Sequence, residues 1–271
     1  MTKLVINPSI TALIDAYSRL PSHAIILSGV SGVGLSTIAH HLASSVVEGS
    51  HVIEITPEKN TIPIDRIRQL YEQTRSIQSG GRCIIIDDAD AMGVEAQNAL
   101  LKLLEEPVEN IYFILTTHLP SEILPTIASR VQWFRIPLVS EALSLQVLDN
   151  YDLDSKKRSQ LLFLASGRPA ELIRLSSDND YFNKQALTIA DARQLLQASM
   201  YERLSVVKKY TDRESALQLL VTTSNLLGFS LLKQKNHHAA DLLPHFSETI
   251  DHIVANGHVR THLMHLVTKL N

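Results

Sequence analysis

Ten residues, Ser28-Gly29-Val30-Ser31-Gly32-Val33-Gly34-Leu35-Ser36-Thr37, constrain this chain more than any other stretch. They follow the phosphate-binding-loop pattern G-x-x-x-x-G-K-[ST], with Gly29 and Gly34 at the glycine positions and Ser36 at the hydroxyl. Gly32 and Thr37 complete the loop, but Leu35 stands where the lysine belongs. The flanks suit the motif. Ala24-Ile25-Ile26-Leu27 reads as a short apolar strand, and residues 37–47 read as a helix with Ile38, Leu42 and Val46 on one face. A strand, a glycine-rich turn and a helix N-terminus make a nest of backbone N–H groups that favours anions. Lysine would add a point charge on the β- and γ-phosphates. Leucine offers neither charge nor donor, so the expectation is a persisting backbone cradle without tight triphosphate binding.

A chain of 271 residues suits two or three small domains, and a net charge of −3 gives no overall basic field. Contact with nucleic acid must then come from a local patch or a partner. The single cysteine, Cys83, excludes an internal disulfide and a cysteine-cluster metal site. Residues 1–7 carry no apolar leader, and no apolar run approaches the ~18 residues that span a bilayer. A cytoplasmic protein without a membrane partner is expected.

Along the chain, residues 10–17 read as a helix before the loop, and 51–55 as a second strand after it. A helix follows over 64–77, broken by Gly80-Gly81. Cys83-Ile84-Ile85-Ile86 is then a wholly apolar strand running into Asp87, Asp88 and Asp90. A buried parallel strand delivers carboxylates at its C-terminal edge, where open α/β sheets bind ligands. In a nucleotide hydrolase the first such carboxylate holds Mg²⁺ through water and the second polarises the attacking water. Alone, the pattern is better explained by a strand followed by an Asp-rich helix cap; the loop upstream favours a nucleotide-site ancestry.

Next come a helix over 94–106, a strand over 111–117, a short helix over 124–129 and a last strand over 131–136. Such alternation predicts a parallel sheet covered on both faces. After Pro137 the composition shifts to helices over 140–150, 155–166 and 170–176, then 183–209, 212–235, 239–256 and 258–270. Thr211-Asp212-Arg213-Glu214 has the capping-box spacing. Three domains are expected: a nucleotide-fold domain over 1–137, a helical lid over 138–178 and an all-helical domain over 179–271.

Several of these stretches together resemble the bacterial DNA polymerase III clamp-loader family, within the AAA+ class. The most specific are Asn98-Ala99-Leu100-Leu101-Lys102-Leu103-Leu104-Glu105-Glu106-Pro107 and Thr126-Ile127-Ala128-Ser129-Arg130-Val131. His23 to Gly29, Ile64 to Leu70 and the Asp87-Asp88 strand add to the likeness, which covers roughly residues 5–175. The resemblance implies an α/β AAA+ fold with a helical lid and a C-terminal helical collar for oligomerisation. Departures from the motor subunits (tau/gamma) are Leu35, Asp88 in place of glutamate, and no cysteine module after the loop helix. With Ser166-Gly167-Arg168-Pro169 at the lid, they are similar to delta-prime, a stator that commonly does not hydrolyse ATP. In the family, the arginine matching Arg130, beside Ser129, reaches the γ-phosphate bound by a neighbouring subunit. Such fingers are worth about 10³–10⁵ in rate.

The resemblance thus implies no cofactor of this chain's own, with ATP and Mg²⁺ bound only if the loop works despite Leu35. Its implied partners are the motor and delta subunits, the sliding clamp, and primed DNA through the complex. Other readings stay open residue by residue. Arg130 alone is an ordinary surface arginine at a strand start. Thr117 is either a γ-phosphate sensor or a strand-end hydroxyl; Arg168 is either a lid arginine or a surface one. Lys102 reads as a solvated lysine, and His118 has no reading. His258, His262 and His265 share a helix face but lack a fourth ligand for zinc. Rival functions are an active clamp-loader-type ATPase, a small-molecule kinase (which would need the missing lysine), and an AAA+ interaction module outside replication.

Overall fold

The computed structural model describes residues 5–47, 51–75, 81–234 and 238–270. The chain forms two compact units, Met1–Ser177 and Asp178–Asn271. The first is built on a five-stranded parallel sheet of order β2-β3-β4-β1-β5. Its strands are β1 (Ala24–Ser28), β2 (Val52–Ile55), β3 (Arg82–Ile86), β4 (Ile111–Thr117) and β5 (Gln132–Arg135), close to their expected spans. In the register, Ile26 pairs with Leu115 on one side and Trp133 on the other.

Period-two alternation explains why β1 and β3 read as unbroken apolar runs. Ala24, Ile26, Ile84 and Ile86 enter one core, under helices α3 (Ile64–Arg75) and α4 (Val94–Glu105). Ile25, Leu27, Cys83 and Ile85 enter the other, under α1 (Pro8–Arg19) and α2 (Leu35–Val46). α1 starts earlier than apolar spacing alone indicates. Asn7 caps it by accepting from the Ser9 N–H at 3.1 Å, and Pro8 needs no partner at the first helical position. A one-turn helix, α5 (Pro125–Ala128), leads into Ser129 and Arg130. Helices α6 (Glu141–Leu148), α7 (Ser155–Ala165) and α8 (Pro169–Ser177) complete the first unit.

The second unit is all-helical: α9 (Asn179–Gln197), α10 (Met200–Val207), α11 (Arg213–Gln234), α12 (His238–Val254) and α13 (Val259–Lys269). Its own core includes Leu195, Leu219, Phe246, Leu263 and Leu266. Two expectations are corrected here. The single helix expected over 183–209 is two helices, because the backbone turns extended at Ala198 (ψ 170°) and Ser199 restarts it. The Glu202 carboxylate accepts from the Ser199 N–H at 2.9 Å and from its hydroxyl at 2.8 Å, a capping box. The capping box expected at Thr211–Glu214 is displaced by one residue. Asp212 is the cap, accepting from the Ser215 N–H at 2.8 Å, so Glu214 falls one position short of the reciprocal bond. The expected helix ends at 76–77 and 235 lie outside the described residues.

Candidate functional site

The phosphate-type loop forms. Gly32 (φ +87°) and Gly34 (φ +94°) both sit in the left-handed region, and Gly34 caps α2. Leu35, the first residue of α2, is only 3% exposed and packs in the core with Val33, Phe134 and Ile136. The position that would carry a cation is therefore part of the hydrophobic interior. Ser36 is half-buried and Thr37 exposed. Gly29 runs so close to β5 that a Cβ there would lie 3.0 Å from the Ile136 carbonyl.

The lid closes on this loop. The Ala170 and Glu171 N–H groups, orphan donors in the first turn of α8, donate to the Gly32 carbonyl at 3.0 and 3.1 Å. Arg168 turns the other way. Its Nε and Nη2 donate to the carbonyls of Ala165 and Leu164, both at 2.8 Å, and so satisfy the C-terminal end of α7. The loop thus offers no cation, and its outer carbonyl is already used by a helix start. Leu35 thus leaves the loop without the lysine charge that the β- and γ-phosphates of a triphosphate would meet.

At the C-terminal end of β3, Asp87 accepts from the Thr116 hydroxyl at 2.7 Å, and that hydroxyl accepts from the Asp88 N–H at 2.9 Å. Burial first, and then the charge of Asp87, raise the Asp88 carboxyl above the ordinary aspartate range, against the opposing pull of His118. Thr117, read either as a sensor or as a strand-end hydroxyl, is fully buried, and its hydroxyl accepts from the Leu119 N–H at 3.1 Å. Thr116, its neighbour on the other face, is what touches the Asp87 carboxylate. His118 now has a place. Its Nδ1 lies 2.8 Å from the Gly29 carbonyl, and its Nε2 is 3.5 Å from Asp88. A carbonyl only accepts, so Nδ1 carries the hydrogen and the ring spans loop and carboxylates.

Arg130 stands apart from all of these. It precedes the register pair Ile25–Gln132, whereas the loop follows Ser28–Arg135. At ~3.3 Å per residue, about 10 Å of strand separates them, and they occupy opposite ends of a parallel sheet. Arg130 is 37% exposed; Nη2 lies 2.7 Å from Glu105, and Nη1 donates to the Thr126 carbonyl at 2.9 Å and the Ser129 hydroxyl at 3.2 Å. Lys102 is exposed on α4. Gln97, also on α4, carries a role that apolar spacing hid. It is 2% exposed, donates to the carbonyls of Met92 and Glu122 at 3.0 and 2.9 Å, and accepts from the Leu124 N–H at 2.8 Å. It thereby fixes the segment that enters α5 and Arg130. A polar residue three positions before Leu100 on the inward face was the signal.

On the remaining expectations, no helix among the described residues is long and apolar enough to cross a membrane. The His262 ring stacks on His252, with centroids 4.9 Å apart. His258 instead meets the Thr261 hydroxyl at 3.0 Å.

The chain is similar in sequence to subunits of DNA polymerase III and of replication factor C. A family model described as "DNA polymerase III, delta subunit" matches residues 48–140. The chain is 32% identical over 182 residues to DNA polymerase III subunit delta' of Pseudomonas aeruginosa, covering 57% of this chain and 56% of that one. It is 33% identical over 181 residues to replication factor C subunit 5 of Mus musculus, covering 61% and 52%. Both matches span just over half the length of those relatives. A solved structure of a DNA polymerase III gamma subunit-related protein from Thermotoga maritima superposes with a TM-score of 0.61 at 19% identity, over 95% of this chain and 98% of that one; it shares the fold.

Proposed function

We infer that this chain, a member of the clamp-loader family of DNA polymerase III subunits, serves as a delta-prime-like stator. It hydrolyses no ATP of its own and supplies Arg130, beside Ser129, to the site of a neighbouring motor subunit. The observation that carries this reading is the separation of Arg130 from the chain's own loop. An exposed arginine at the opposite end of the sheet from Gly29–Gly34 cannot meet a phosphate held there, so its use as a finger requires another subunit's nucleotide. Leu35 in the core and α8 seated on Gly32 support the same reading from the other side. The degenerate loop, Asp87, Asp88, Thr117 and Arg168 then act as structure rather than as a nucleotide site.

The partners of this role are a tau/gamma motor subunit and a delta subunit. Through them the protein acts, in the cytoplasm, on a sliding clamp and primed DNA, with the helices of 179–271 forming its part of an oligomeric collar. Arg130 neutralises charge spreading over the transferring phosphoryl, a contribution of about 10³–10⁵ in rate at the completed site. The test is reconstitution with candidate motor and delta subunits. Clamp- and DNA-stimulated ATPase should appear in the complex and fall with Arg130→Ala while assembly is kept. Unchanged ATPase would remove the role.

A further inference from the structure

We propose that Glu105 is the positioning residue for Arg130; the inference rests on the finger role just described. Glu105 is the last residue of α4, and its carboxylate stands 2.7 Å from Arg130 Nη2. The Thr126 carbonyl and the Ser129 hydroxyl hold Nη1. The guanidinium is thus gripped at both terminal nitrogens, from two elements remote in sequence. Three of its five N–H donors are used, and two remain.

Its exposure assigns this pair to orientation more than to stability, beyond the charge it offsets at a helix end. Glu105 sits in the last turn of a helix, where the dipole disfavours a carboxylate, so Arg130 is the compensating charge there. The pair is also exposed, at 46% for Glu105 and 37% for Arg130. Pairs of such exposure contribute little to folding. What the contact does limit is rotamer freedom. A free arginine side chain is among the most mobile, and one already aligned loses less when a phosphate docks. Ser129 works with Glu105, since its hydroxyl donates to the Thr126 carbonyl at 3.0 Å and accepts from Nη1.

The experiment uses the assembled complex with its motor and delta partners and reads steady-state ATPase for the parent, E105A, E105Q, R130A and the E105A/R130A double variant. Glu105→Ala should lower kcat by about 10- to 100-fold at the completed site, with KM within about twofold, as expected for a misplaced catalytic group. Glu105→Gln keeps an acceptor of the same reach and should restore most of the rate. The double variant should equal R130A, because Glu105 acts only through Arg130. Losses that multiply in the double variant, or an E105A complex with parental or higher kcat beside an impaired R130A complex, would overturn this inference and leave the finger role standing. An R130A complex with full activity would bring down the finger role and this inference with it.

Discussion

Gly32 and Glu171 approach so closely that a methyl group on the first would lie 2.8 Å from the Cβ of the second. The contact joins the degenerate loop to the lid helix, and it exists because Gly32 has no side chain. Gly32→Ala should therefore destabilise the protein by about 1–3 kcal/mol, from left-handed strain at φ +87° and the clash together. Gly93, with φ −64° and nothing within 4 Å of its missing Cβ, is the control and should change little as alanine. Thermal unfolding of the two variants checks this; equal melting temperatures would contradict the close approach.

Restoring the lysine should not restore the site. Leu35→Lys removes a core side chain worth about 1.5–3 kcal/mol of burial and places an ammonium in its stead. The variant should melt lower and still show no saturable binding of a fluorescent ATP analogue, because the new ammonium takes a position packed in the core with Val33, Phe134 and Ile136. Saturable micromolar binding would mean that only the cation was missing.

Gln97→Leu keeps volume but orphans the Met92 and Glu122 carbonyls and the Leu124 N–H. The Met92 bond is buried and a buried orphan costs about 1–3 kcal/mol, while the two part-buried partners can turn to water and add less, so a total loss of roughly 2 kcal/mol is expected. Urea denaturation measures it. A loss under ~1 kcal/mol would show that the bridge is dispensable.

The reading from sequence succeeded where local pattern decides the outcome. Apolar runs gave the strands, the glycine spacing located the loop, and Leu35 stood out as a single letter in it. It fell short where a contact joins residues remote in sequence. The bridge from His118 to Gly29, the lid amides on Gly32 and the pairing of Glu105 with Arg130 have no periodic signature. The break before α10 is a different case. Ser199-Met200-Tyr201-Glu202 has the capping-box spacing, but the long run of helix-forming residues around it outweighed the signal.

Cys83 provides a pH test. Burial pushes its thiol up to about 12 from an ordinary value of 9.0. The folded pKa is raised, so this contribution to stability is intact below pH ~9 and is lost as pH climbs from 9 toward 12. Near pH 10 the loss is on the order of 1 kcal/mol. Comparing urea midpoints at pH 8 and 10 should show a larger drop for the parent protein than for Cys83→Ala. Identical drops would mean the thiol is not shielded.

The central claim is that this chain completes another subunit's active site and runs none of its own. It is tested most directly by the clamp- and DNA-stimulated ATPase of complexes carrying Arg130→Ala or Asp87→Ala in this chain alone. Arg130→Ala should lose rate, and Asp87→Ala should keep a near-parental rate. The reverse pattern, with Asp87 needed and Arg130 dispensable, would contradict it.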